Sequence, residues 1–348
     1  MSQPRVPDDV PRPPAESEPA VLPWPGSNVS ASAGNTPVAG GASDTGRDFA
    51  ADAELRALSG DDFGSPRRRR IVLPAALFVA TCCSTFFAGA LNWNPAIYID
   101  SNQVERGLAA NWSQGLIYMA AVIGILLTHE MGHFLQTVRY RVPASLPYFI
   151  PVPILMTGTM GAVIGMEGSR ADRKQLFDIG LSGPLAGLAV ALPIIWFGIK
   201  SATAGPPVGD IVLGDPLIFK LICNLLRPDL PADAILNKNN PLLMAGWVGM
   251  LITGLNMMPI SQLDGGHVIY GLFGRKAHLV ARTFLIAAIL FVVFGEHYNW
   301  TVMLVVVILL GVDHPPTRDD DVPLGKVRTA IGLASLAIPV LCFTPVLM

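Results

Sequence analysis

Charge is what this sequence has least of. Only 14% of its 348 residues are Asp, Glu, Lys or Arg, where an ordinary soluble domain carries roughly a quarter. With 51% hydrophobic residues and a mean hydropathy of +0.47, that shortage excludes a typical cytosolic enzyme and points to a membrane protein. Cysteine is also scarce. Cys82, Cys83, Cys223 and Cys342 form no CxxC pair and sit mostly in apolar stretches. A disulfide framework and a cysteine-ligated metal are therefore not expected.

The charge that exists is unevenly placed. Residues 1–66 hold 4 basic and 10 acidic residues and 10 of the 30 prolines, a balance of −6, while the remainder carries +4. This first stretch lacks the apolar periodicity that offsets ordering entropy, so it reads as a disordered tail. No apolar core follows its start, as a secretory signal requires, and it is too acidic for a transit peptide. Trp24, between two prolines, would serve a docking arm if the tail has a partner.

From Arg67 the character changes. Four arginines precede a run without acidic or basic residues from Ile71 to Ile99, and about 20 apolar residues cross a bilayer. Spans are expected near 71–91, 115–136, 177–199, 242–258, 279–295, 299–312 and 328–347. The uncharged stretch 142–166 contains Pro143, Pro147, Pro151 and Pro153, which forbid a regular helix. It reads as a membrane-dipping, partly extended segment, tolerated at depth where protein or a cavity satisfies its backbone. The expected fold is an all-α polytopic membrane protein of six to seven spans with one re-entrant segment. Residues 67–348 form its membrane domain.

With the amino terminus inside, inner segments carry fifteen Lys and Arg against five outside (Arg106, Lys200, Lys220, Arg227 and Lys238). That bias places the amino terminus in the cytoplasm, and a bacterial cell membrane is the expected location. The lipid bilayer is a partner, and no nucleic acid is expected.

An ionisable residue inside a span is costly and signals function. The second span holds His129, Glu130 and His133 together. Positions i and i+4 share a helix face, so both imidazoles can reach one cation, with Glu130 beside a water on it. This HExxH pattern is that of zinc hydrolases, and its catalytic sites use three protein ligands. Asp264, at the cytoplasmic end of the fourth span, agrees in depth and side with His133. Helix capping before Gly265-Gly266 is the bland reading of Asp264. His267 is the rival ligand, read as a surface histidine in an exposed loop.

These residues carry a resemblance. His129-Glu130-x-x-His133 in a membrane helix, followed by Asn256-x-x-Pro259-x-x-x-Leu263-Asp264-Gly265-Gly266, resembles the site-2 protease family of intramembrane zinc metalloproteases. Arg139 to Pro153, Gly158-Thr-Met-Gly161 and Phe177 to Gly187 are similar to the branch shared by bacteria and plastids. The resemblance covers roughly 110–275. It implies one Zn²⁺ per chain held by His129, His133 and Asp264, with Glu130 catalytic and Asn256 holding the substrate backbone. It also implies a membrane-embedded β-hairpin around Gly158 and Gly161 that pairs with an unwound substrate. Single-span membrane proteins would be the substrates. Gly183 and Gly187 read as close-packing positions. The loop between the third and fourth spans is too short for the PDZ domain many bacterial members carry.

Two other classes compete. A metal transporter would use the same His/Asp cluster as a transit site. A di-iron oxidase needs a second Glu-x-x-His, which the chain does not contain.

Overall fold

The structure, a computed structural model, describes residues 71–94, 101–202, 214–229, 240–260 and 262–344. The expected tail, Trp24 and the Arg67–Arg70 cluster lie outside them. Helix α1 (Val72–Ala90) is followed by α2 (Ser101–Tyr140), strands β1 (Tyr148–Pro151) and β2 (Thr159–Val163), and α3 (Arg173–Ser201). Then come α4 (Leu217–Leu226), α5 (Pro241–Asn256), α6 (Asp264–Phe273), α7 (Ala277–Phe294), α8 (Thr301–Leu310), α9 (Lys326–Ser335) and α10 (Ala337–Cys342).

Among the described residues, four helical stretches are long and apolar enough to cross a membrane: Val72–Ala90, Ser101–Tyr140, Arg173–Ser201 and Asp264–Phe294. The last joins α6 and α7 through a single 3₁₀ turn at Gly274–Lys276. The expected fourth span is α5, whose 16 residues make about 24 Å of helix against a hydrocarbon core of about 30 Å.

Local signals explain the helix ends. Asp172 accepts from the Gln175 backbone N–H at 2.8 Å while the Gln175 side chain accepts from Asp172 N–H, a reciprocal cap that starts α3. Asn240 caps α5 ahead of Pro241 at its first position, where proline's missing N–H costs nothing. Helix α2 begins 14 residues before the expected Gly115, with non-helical backbone at Asn111. Its polar first turns are helical although they lack a membrane-like composition.

Small residues set the packing, as expected where lipid tails compete with apolar side chains. A Cβ at Gly115 would stand 2.7 Å from the Phe86 carbonyl of α1, and one at Gly132 would stand 2.6 Å from the Ser182 carbonyl of α3. At Gly246 of α5 it would meet the Ile195 side chain at 2.4 Å. Helix α5 is buried along almost its whole length, with Trp247, Val248 and Met250 at most 1% exposed. It is the central post around which α2, α3 and α10 assemble.

The proline-rich stretch is an antiparallel hairpin, pairing Tyr148 with Val163, Phe149 with Ala162 and Pro151 with Thr159. Phe149 meets Phe78 of α1 edge to face at 5.1 Å. The Tyr118 hydroxyl of α2 donates to the Thr157 carbonyl at 2.9 Å, and Ser84 of α1 donates to the Gly158 carbonyl. The loop after α3 contains α4, which packs through Phe219, 1% exposed.

Candidate metal centre

The ligand set is assembled from two helices. On α2, His129, Glu130 and His133 are 2%, 3% and 8% exposed, and the two imidazole rings lie 5.1 Å apart. Asp264 is the first residue of α6. Its Oδ2 lies 3.0 Å from His129 Nε2 and its Oδ1 lies 3.2 Å from His133 Nε2. One atom from each of the three residues falls within 4.8 Å of the others, and among the described residues this is the one cluster that could hold a metal ion.

The surroundings prepare those nitrogens for a cation. His133 Nδ1 lies 2.8 Å from the Ile179 carbonyl. A carbonyl only accepts, so Nδ1 carries the proton and Nε2 is left with its lone pair. Helix α3 makes room through two glycines. A Cβ at Gly183 would stand 2.0 Å from His133 Nε2, and one at Gly187 would stand 3.0 Å from His129 Nδ1. These glycines do serve close packing, and what they pack against is the ligand pair itself. Two imidazoles and one carboxylate, largely buried and with one ligand atom each drawn together, fit a zinc ion.

Asp264 does not act through its side chain as a cap: α6 is capped at Leu263, without a side-chain cap bond. Nor is His267 a surface histidine in an exposed loop. It lies half-buried in α6 and bonds to His314. Gly265 is buried at the start of α6. A Cβ there would stand 2.1 Å from the Met257 carbonyl, so the glycine lets α6 start against the end of α5.

A cavity of about 130 Å³ adjoins the cluster, lined by Glu130, His133, Asn256, Asp264 and His267, with Thr137, Ala162, Val163, Ile164 and Met166 among the walls. The Glu130 carboxylate engages no hydrogen-bond partner among the described residues. Asn256 places its amide nitrogen 3.5 Å from His129 Nε2. Gly158 and Gly161, with φ of +73° and +103°, shape the turn and β2. They do not line the cavity, whereas Ala162 and Val163 of the same strand do. A larger cavity of about 570 Å³, between α7, α8 and α10, is walled by residues such as Met257, Phe284 and Phe343 and contains none of the ligands. Ile179 escaped the sequence reading because a backbone carbonyl leaves no trace in residue type, and His314 because it belongs to no spaced motif.

Known proteins resemble this chain in sequence. A sequence 32% identical over 231 residues, 65% of this chain and 42% of the relative, is "Probable zinc metalloprotease EGY1, chloroplastic" of Arabidopsis thaliana. Its namesake in Oryza sativa subsp. japonica is 31% identical over 64% of this chain and 39% of its own length. "Probable zinc metalloprotease EGY2, chloroplastic" of Arabidopsis thaliana is 28% identical over 66% of this chain and 41% of its own. The chain thus spans about two-fifths of these relatives. No solved structure matches it. The model described as Peptidase family M50 matches residues 117–295, just over half of the chain and all of the ligand set. The chain belongs to peptidase family M50, the site-2 protease family that its paired motifs resemble.

Proposed function

We propose that the protein is an intramembrane zinc metalloendopeptidase that hydrolyses peptide bonds within or near the membrane spans of single-span proteins. One observation carries this reading: His129, His133 and Asp264 converge beside a cavity that Glu130 also lines. His129, His133 and Asp264 would hold the ion. Bound zinc supplies Lewis acidity, which polarises a carbonyl and acidifies water. Glu130 accepts the proton of the attacking water on its carboxylate and returns it to the leaving amine. The Asn256 amide donates to the substrate backbone. The free side of β2 offers its backbone to an unwound substrate segment, the role assigned to the Gly158–Gly161 region. A helical substrate hides its carbonyls, so Gly or Pro near the cut should favour cleavage.

In this reading six or seven spans cross a bacterial cell membrane, with the amino terminus and the active site towards the cytoplasm. The hairpin lies at membrane depth, and residues 67–348 form the protease domain with its core at 110–275. Metal transport, the rival reading of the cluster, has no observation in its favour.

The test uses purified wild-type protein and Glu130→Gln, with zinc content and cleavage of single-span membrane proteins measured together. Zinc bound by both and cleavage by wild type alone is the expected result. Equal cleavage by the two would overturn the proposal.

A further inference from the structure

His267 and His314 meet beside the cavity, and the metal site does not use either. His267 lies one turn after Asp264 on α6 and lines the cavity with Glu130 and His133. Its Nδ1 stands 2.7 Å from Nε2 of His314. His314 is 7% exposed and lies in the segment after α8, beyond residue 295 where the family match ends.

The proton positions follow from the partners. His314 Nδ1 faces the Pro315 carbonyl, which can only accept, so that nitrogen carries the proton. Burial holds His314 below the usual imidazole range, so at pH 7 the ring is neutral and its Nε2 is an acceptor. His267 Nδ1 must therefore donate, since two lone pairs at this distance would repel. His267 Nε2 is then left without a proton, and its lone pair is the one polar function the ring retains.

The relay is rigidly mounted. The His314 ring stacks on Tyr270 with centroids 4.5 Å apart. The Tyr270 hydroxyl donates to Asp320 at 2.9 Å, and Thr317 holds the other oxygen of Asp320 at 2.6 Å. His278 Nε2 donates to the His314 carbonyl at 3.1 Å. Stacking fixes the plane of the His314 ring, and the Nδ1–H bond to the Pro315 carbonyl fixes which of its edges faces His267.

We propose that His314 is a positioning residue that holds His267 as the Nδ1–H tautomer, so that Nε2 accepts a backbone N–H of the substrate in the cavity. The proposal rests on the proteolytic reading and extends it to a residue outside the paired motifs. His267 makes the substrate contact. His314 acts through it.

Two measurements test this on the full-length protein in detergent. The first is independent of cleavage: ¹⁵N NMR of protein labelled in the histidine rings, with His267 assigned through His267→Asn. A protonated Nδ1 and bare Nε2 are expected at His267. That pattern should be lost in His314→Phe, which can stack on Tyr270 but accepts no hydrogen bond. An Nε2–H tautomer in wild type, or no change in His314→Phe, would overturn the proposal. The second is kinetic. His314→Phe and His267→Asn should each lower kcat about tenfold at unchanged zinc content, and the double variant no further. His314→Gln, whose amide oxygen can accept the same bond, should recover most of the loss. Multiplicative losses, or no rescue by Gln, would overturn it. Wild type that shows the tautomer but cleaves no more than Glu130→Gln counts against the proteolytic reading alone.

Discussion

The two glycines of α3 show how a residue without a side chain shapes chemistry. Gly183 leaves the space His133 Nε2 needs, and at 2.0 Å a methyl group there has nowhere to go. Gly183→Ala should therefore lower zinc affinity more than about tenfold, the scale seen when support of a ligand is lost, read by metal analysis of the purified variant. Gly187→Ala meets His129 Nδ1 at 3.0 Å, a tight contact that a small ring shift can relieve, and should retain more metal. Undiminished zinc in Gly183→Ala would show that the imidazole can move aside. At this scale His129, Glu130, His133 and Asp264 were legible, because an ionisable group in an apolar span stands out by its cost. His267 was legible as a residue but not in its surroundings, since Gly265-Gly266 reads the same whether it breaks a helix or admits a neighbouring carbonyl.

Elements bring these residues together through their ends. Asp178, next to the Ile179 carbonyl that holds His133, receives Arg328 of α9 through Nε at 2.8 Å and Nη2 at 2.9 Å. The Tyr140 hydroxyl at the end of α2 donates to the same carboxylate. One acid thus ties α2, α3 and α9 beside the metal centre. Arg328→Ala should cost about 1 kcal/mol, a charged bidentate pair discounted for partial exposure, seen as a lower thermal midpoint in detergent. Arg328→Lys should recover only part of it, because an ammonium lacks the planar fork. A midpoint unchanged in Arg328→Ala would mean that the three helices hold together without this tie. Long apolar helices were visible in the sequence, and so was the hairpin region, through its prolines. The start of α2 was not, and α4 showed only as an apolar patch, Ile218 to Leu226, within a loop. Composition marks where a membrane is crossed, and helices that continue into polar sequence or lie within a loop carry no such mark.

Across the whole molecule, the segment after α8 returns to the start of α3 and to α6, the helix that carries Asp264. Arg318 pairs with Asp172 at 3.4 Å, the Arg173 N–H donates to the Asp319 carbonyl at 3.1 Å, and Tyr270 reaches Asp320. Metal binding should stabilise this assembly in the folded state by about 2.7 kcal/mol at a hundredfold excess over Kd. Chelation should therefore lower the thermal midpoint of wild type, and added zinc restore it. Asp264→Asn should respond to neither, and a zinc-dependent midpoint in that variant would remove Asp264 from the ligand set. The sequence by itself determined the membrane character and the residue types of the site. Both follow from free energies of transfer that each residue carries wherever it lies in the fold. Only the tertiary structure decided that α6 begins at Asp264, that Ile179 orients His133, and that His314 reaches His267 from outside the family core. Those are distances between segments far apart in the chain, set by how closely glycine allows helices to approach, and no local pattern encodes them.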